Sequence, residues 1–359
     1  MRDHFDRHDV AEPATGTLPG VHLLDVTLRD GGFETDFHWP SDVLMTHPPA
    51  VGPVGVDVDE LGYLGGVPLE HGVAVAGVGA HLRPEHLAAA RFDGVRLAAM
   101  VHPTALDSGN GNGGLDVDAY ADAGLDLLRL VYHPDWLDPI ARLAARAHDA
   151  GLRVSVNIAL ASRYRPGELA EHAARIANAT EPDVLYVADT CGALDPTQVT
   201  GFVAAVRAVT DVPVGFHAHD FLSFGYANAL AAVAAGARWL DVSVLGLGRG
   251  GGNLSAELVL ARHRFPGEQL TGRLELFLSH REQLAELADR PVPDLVPMVC
   301  GVLNLTPVEE QALRTFAAED GIDLQLAALW LVAAYGRVPS LHVDGLRAGW
   351  LAEAAPVVA

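Results

Sequence analysis

The chain has 359 residues, half of them hydrophobic and 37 of them glycine, which is enough apolar material for one large domain plus a smaller appendage. Its net charge of −22 disfavours any role that neutralises phosphate backbones or anionic membrane surfaces, so neither nucleic acid nor membrane is an expected partner. Two cysteines, Cys191 and Cys300, cannot build a disulfide framework, and with no secretory or spanning segment legible the expected location is cytoplasmic. All 24 basic residues are arginine. A chain without lysine cannot form an imine with a carbonyl substrate, so any enolate chemistry here has to be stabilised by a metal.

Residues 1–20 mix His, Asp, Pro and Gly without periodicity and read as a poorly ordered leader. From Val21 onward, short aliphatic runs alternate with Ala-rich amphipathic stretches. The runs are Val21 to Thr27, Val56 to Leu61, Val95 to Val101, Leu125 to Tyr132, Leu152 to Ile158, Val184 to Ala188, Val214 to His217 and Trp239 to Val244. Eight alternations over roughly 240 residues predict an α/β fold, a closed (β/α)8 TIM barrel over residues 21–262. Asp195-Pro196-Thr197-Gln198 is a helix start with its own capping box, and Gly236 ends the helix that begins after Ser223. Pro48, Pro49 and Pro53 fall where the first barrel helix belongs, which predicts a helix that is short, broken or replaced by a loop.

Beyond the barrel the alternation stops, and residues 263–359 read as a small C-terminal helical domain. Thr306-Pro307-Val308-Glu309 is another capping box, and Asp323 to Tyr335 is a nearly all-apolar helix stopped by Gly336. Such a helix needs a buried position, in the core or at a subunit contact.

Three motifs sit at predicted carboxyl ends of strands, the face where barrels keep their active sites. Strand one runs into Thr27-Leu28-Arg29-Asp30-Gly31-Gly32, where Arg-Asp-Gly alone is equally an ordinary ion pair at a turn. Strand seven ends in His217-Ala218-His219-Asp220, and side chains two apart on a strand point the same way, so both imidazoles can reach one ion. With 17 histidines about one such pair is expected by accident, and this is the only one. Strand eight leads into Gly246-Leu247-Gly248-Arg249-Gly250-Gly251-Gly252-Asn253. Although it spells Gly-x-Gly-x-x-Gly, it follows the last strand rather than the first of a βαβ unit, so a dinucleotide site is rejected, while phosphate or carboxylate binding by its amides stays open. Closure of a barrel makes the ends of strands seven, eight and one neighbours. One carboxylate, two imidazoles and an amide oxygen form a mixed N/O set that suits Mn²⁺ or Mg²⁺, with Zn²⁺ or Co²⁺ as weaker alternatives.

These pieces, together with Val187-Ala188-Asp189-Thr190-Cys191-Gly192, make the chain resemble the DRE-TIM metallolyases over roughly residues 21–262, a superfamily that includes the HMG-CoA lyases. The stretch from His217 through Leu222-Ser223 to Ala227-Asn228 is most similar to the 4-hydroxy-2-oxovalerate aldolase branch. The resemblance implies a metal held by Asp30, His217 and His219, with Asn253 as a further ligand, and Arg29 bonded to the carbonyl oxygen that becomes an enolate. It implies a lyase or aldolase acting beside a 2-oxo acid carbonyl on a pyruvate-type enolate. The alternatives are a Claisen-type synthase of the isopropylmalate or homocitrate kind, and a silent barrel kept for binding a partner.

Thr190, just past strand six, is assigned with Arg29 to catalysis and to the substrate carboxylate, although its hydroxyl is as readily a cap for the following turn. Two departures from the aldolase pattern stand out: Phe33 replaces a histidine after Arg-Asp-Gly, and Met298 to Leu305 lacks the tyrosine of that branch. The proton shuttle must therefore differ. Glu60, Tyr63, His102 and His133 lie at the ends of strands two, three and four; Glu60 is favoured as the acid or base, and Tyr63 and His133 as substrate contacts. A homodimer is the expected assembly, and the resemblance adds a partner dehydrogenase engaged through the C-terminal helices.

Overall fold

The structure, a computed structural model, describes residues 18, 20–66, 77–102, 115–263 and 271–354; the predicted leader at 1–20 lies almost wholly outside them. Eight parallel strands close into a barrel in sequence order: β1 (His22–Asp25), β2 (Val58–Tyr63), β3 (Arg96–Val101), β4 (Leu125–Tyr132), β5 (Arg153–Ile158), β6 (Val184–Asp189), β7 (Val214–Ala218) and β8 (Trp239–Val242). Each lies within one of the eight aliphatic runs or runs one or two residues past its end. Closure is made by β1 against β8, with Leu24 opposite Asp241.

The helices are α1 (Thr27–Asp30), α2 (Ser41–Val51), α3 (Pro84–Ala90), α4 (Val117–Asp122), α5 (Leu137–Asp149), α6 (Pro166–Thr180), α7 (Pro196–Arg207), α8 (Gly225–Ala234) and α9 (Ala256–His263). They are followed by α10 (Thr271–Leu287), α11 (Val296–Leu303), α12 (Pro307–Asp320), α13 (Leu324–Ala334) and α14 (Val343–Ala354). α7 starts as its sequence demands, with Asp195 Oδ1 accepting the Gln198 N–H at 2.9 Å and Gln198 returning the bond to Asp195 N. The first crossover corrects the expectation from its prolines: α2 persists for 11 residues with Pro48 and Pro49 inside it. Both prolines fall in its last turn, so only two N–H donors are lost, and His47, Pro48, Ala50 and Val51 are buried, which holds that turn by packing.

Contacts divide the chain into two units. One comprises Gly20–Glu257 with His280–Pro291, and the other is built from Leu258–Ser279 and Val292–Ala359. In the second unit Thr306 caps α12 through Glu309 N, and Asp323 caps α13 through Leu326 N. Residues 326–334 of α13 are all buried, and Trp330 lies 6.0 Å from Phe316 and 5.1 Å from Trp350. Burial within the chain therefore answers that helix's apolarity. Among the described residues no helix is long and apolar enough to cross a membrane.

Inside the barrel, strand alternation stacks side chains in layers. The floor is apolar: Leu24, Val58, Ala98, Leu127, Val184, Tyr186 and Trp239 form one buried cluster. Two residues further along β2, β4 and β8 stand Glu60, Arg129 and Asp241, all charged and buried. Tyr186 supports them from below, its ring 4.5 Å from the Arg129 guanidinium carbon. Gly215 makes room for that ring, because a Cβ there would stand 2.5 Å from it. Gly215→Ala is expected to destabilise the barrel by about 1–3 kcal/mol through overpacking, read as a lower urea midpoint with an unchanged slope.

Candidate metal centre and active site

At the mouth, β1 passes through Val26 into α1, which places Arg29 and Asp30 side by side and buried. β7 ends with His217 inside the barrel, and His219 follows just past it, joined by a bridge to Asn253 at the end of the glycine-rich loop. One ligand atom from each of Asp30, His217 and His219 lies within 4.8 Å of the others. Asn253 donates through Nδ2 to Asp30 Oδ2 at 2.7 Å and to the Leu247 carbonyl at 2.9 Å. Gly248 is required beside them, since a Cβ there would fall 2.2 Å from that amide nitrogen and 3.0 Å from Asp30 Oδ2.

The tautomers of both imidazoles follow from their neighbours. Asp241 Oδ2 already accepts an Arg129 N–H at 2.7 Å, and a carboxylate flanked in this way can only accept. His217 must therefore carry its proton on Nδ1, 3.0 Å away, which leaves Nε2 a lone pair. His219 donates its Nδ1–H to the Gly252 carbonyl at 3.2 Å, and its Nε2 lies 3.7 Å from Asp30 Oδ2. Orientation of a ligating histidine through its other nitrogen is the usual device of metal sites.

Electrostatics point the same way. Burial would raise the Asp30 carboxyl, but the Arg29 guanidinium and the Asn253 amide hold it well below the usual carboxylate range. Burial pushes His219 down to about 4, with His217 adding and Asp30 opposing, so the ring is neutral and able to ligate. Arg29, Arg129, Asp30, Glu60 and Asp241 place two positive charges against three negative ones in a buried space. Asn253 Oδ1 is buried there with no hydrogen-bond partner among the described residues. A net negative pocket with two aimed imidazole lone pairs, a carboxylate and an unpartnered amide oxygen fits a divalent cation.

Beside this set Arg29 donates to Asp30 Oδ1 at 2.5 Å and to Glu60 Oε2 at 2.9 Å. Burial lowers the Arg29 pKa, but Glu60 and Asp30 more than compensate and hold the guanidinium firmly charged. Glu60 also accepts from Arg129 Nη1 at 2.8 Å, so it stands deep in the barrel between two arginines rather than on the rim. Tyr63 is buried next to Arg29, pushed up to about 12 by burial with Asp30 and Glu60 adding, and its ring meets Phe37 at 5.7 Å and Phe33 at 6.4 Å.

The other sequence candidates make contacts of their own. Thr190 Oγ1 accepts the Leu160 N–H at 2.9 Å. His133 is half exposed, accepts the Asp135 N–H at 3.3 Å and packs on Trp136, as His102 does, with both rings 5.0 Å from the indole. The Gly248 amide donates to Glu34 at 2.7 Å, so the glycine-rich loop is pinned by a carboxylate of the chain itself. Arg129 and Asp241 escape motif reasoning altogether. The signal available for them was a lone charge at an inward position of an aliphatic strand, in Leu127-Leu128-Arg129-Leu130 and Trp239-Leu240-Asp241-Val242.

Known proteins resemble this chain in the same region. The HMGL-like family model matches residues 133–273. The oxaloacetate decarboxylase of Mycobacterium tuberculosis is 32% identical over 242 residues, covering 67% of this chain and 68% of that one. A 4-hydroxy-2-oxovalerate aldolase of Pelotomaculum thermopropionicum is 29% identical over 280 residues, 76% of this chain and 79% of its own. The crystal structure of the HMG-CoA lyase of Bacillus subtilis superposes with a TM-score of 0.59 at 18% identity, covering 77% of this chain and 97% of that one.

Asp241→Asn preserves shape but can no longer force the Nδ1 proton on His217. We expect metal affinity to fall about 10- to 100-fold, measured by competition with a fluorescent chelator, while the far-UV spectrum stays unchanged.

Proposed function

The chain belongs to the HMGL-like family of the DRE-TIM metallolyases, and on that premise we propose that it is a metal-dependent lyase that cleaves or forms a carbon–carbon bond next to the carbonyl of a 2-oxo acid. The observation that carries this reading is the pair of imidazoles, each engaged through Nδ1 by an acceptor, whose ligand atoms gather with one of Asp30 beside Arg29. Asp30, His217 and His219, with Asn253 Oδ1, are the residues that hold the cation; Mn²⁺ or Mg²⁺ suits their mixed N/O character. When bound, such a cation supplies Lewis acidity to the carbonyl and neutralises the adjoining carboxylate of the substrate.

Everything else in the chemistry falls to side chains of the chain. Arg29 places a fixed positive charge where the carbonyl oxygen gains electron density, and Glu60 with Asp30 keeps the guanidinium from turning away. Glu60, favoured from the sequence as the acid or base, is assigned here to positioning, because it lies wholly buried and ion-paired between Arg29 and Arg129. Tyr63, given from the sequence as a substrate contact, is a buried phenol beside Arg29 that stays protonated through the neutral range, and we assign it as the proton donor to the enolate carbon. Thr190, whose hydroxyl accepts the Leu160 N–H, is kept as a contact for the substrate carboxylate, and His133 as a substrate contact.

Phe33 favours one form of this reaction over another. Retro-aldol cleavage needs a base to take the proton from the 4-hydroxyl, and Phe33 with Phe37, 5.0 Å apart ring to ring, offers an apolar wall instead. Loss of a β-carboxylate as CO₂ leaves its bonding electrons in the same enolate and needs no such base. β-Decarboxylation of a 2-oxo diacid of the oxaloacetate type is therefore the second reading.

Both forms release a 2-oxo acid such as pyruvate, which lactate dehydrogenase reports. Mn²⁺-loaded protein should turn over oxaloacetate or a 4-hydroxy-2-oxo acid and lose that turnover on chelation. Arg29→Ala should retain metal by elemental analysis yet lose about 10²- to 10³-fold in kcat. No 2-oxo acid released from either class of substrate, or an Arg29→Ala variant as fast as wild type, would rule the proposal out.

A further inference from the structure

Outside the barrel wall, β1 and β2 carry a second set of ligating side chains that the reaction does not use. Asp25 and Asp59 lie opposite one another in the parallel pair, each one residue out of phase with the inward-facing Leu24 and Glu60. Their carboxylates thus point away from the barrel axis. α2 lays His47 across them, and α10 brings His280 against His47. His47 Nε2 is 3.0 Å from Asp25 Oδ1 and 3.8 Å from Asp59 Oδ1, and His47 Nδ1 is 2.7 Å from His280 Nε2. Asp25, His47 and Asp59 are wholly buried.

Hydrogen bonding leaves this cluster unsatisfied. Asp25 Oδ1 takes the Thr27 N–H at 2.7 Å, but Asp25 Oδ2 and both oxygens of Asp59 are buried with no partner among the described residues. His47 has two nitrogens, and one of them faces His280. A single N–H cannot serve two carboxylates, and buried carboxylates without donors or a cation are strongly unfavourable.

The three side chains are close enough for a small side-chain movement to bring them onto one ion. Ligand atoms about 2.1 Å from a metal lie roughly 3.0–3.4 Å from one another, and one donor atom from each of these three residues lies within 4.8 Å of the other two. The arrangement repeats that of the mouth: an imidazole whose outer nitrogen is engaged by a neighbour and whose inner nitrogen meets carboxylates.

We propose that Asp25, His47 and Asp59 form a second divalent-cation site, structural in role, with His280 as the acceptor that orients His47. One imidazole and two carboxylates suit Zn²⁺ or Mn²⁺. The site ties α2 to β1 just before Arg29 and Asp30, so it steadies the segment that carries both.

The test is metal stoichiometry rather than turnover. Wild-type protein reloaded with Zn²⁺ or Mn²⁺ and desalted is expected to hold two equivalents by elemental analysis. The mouth variant His217→Ala/His219→Ala should hold one, and adding His47→Gln to it should remove that one. Should His47→Gln fail to fold, Asp59→Asn, which keeps the side chain's shape, takes its place, and a metal-induced rise in the melting temperature of the mouth variant is the supporting result. A mouth variant that retains no metal and melts at the same temperature with and without Zn²⁺ or Mn²⁺ overturns the second site and leaves the mouth assignment standing. A single wild-type equivalent that His47→Gln leaves in place overturns it as well.

Discussion

Arg129 is the side chain on which the geometry of the mouth depends. It spans the barrel interior from Glu60 on β2 to Asp241 on β8, wholly buried and bonded to each within 2.8 Å. Breaking such a pair from one side costs about 3–5 kcal/mol, because the partner is left as an uncompensated buried charge. Each carboxylate passes the constraint on: Glu60 fixes Arg29, and Asp241 fixes the proton on His217. The group assigned to the substrate oxygen and a group assigned to the cation are thus set by one guanidinium. Asp241, despite its burial, is held below the usual carboxylate range by Arg129 and His217, so it stays ionised between them.

Under the proposed reaction a chain without lysine has to stabilise its enolate electrostatically, and the charged groups of this mouth are the residues available for that. Two reactions borne by the names of its relatives, aldol cleavage and β-decarboxylation, share that intermediate and differ in how the second product leaves. The difference falls on a few residues at the rim. Phe33, packed edge-to-face with Phe37 and covered by the Arg249 guanidinium at 5.5 Å, gives that rim an apolar and cationic character rather than a basic one.

How much of this was legible in the sequence follows from what each residue's position depends on. The eight strands were readable because aliphatic runs separated by capped helices are a local signal, and barrel closure then brings Asp30, His217, His219 and Asn253 to one place. α2 was misread because proline is a local veto that burial of His47, Pro48, Ala50 and Val51 overrides. Glu60 reads as a rim residue from its place near a strand end, whereas its phase with Val58 turns it inward between arginines. Arg129 and Asp241 carry no motif, since their meaning lies in a pairing across the barrel. Nor does any local feature announce that His280–Pro291 groups with the barrel by its contacts.

Diffraction from crystals soaked with Mn²⁺ and oxalate, recorded at the manganese edge, tests the central claim most directly. An anomalous peak at the mouth about 2.0–2.3 Å from Nε2 of both His217 and His219 and from an Asp30 oxygen, with Arg29 bonded to an oxalate oxygen, is the predicted result. A mouth that gathers no manganese under these conditions, with His217 and His219 turned to other partners, would contradict it.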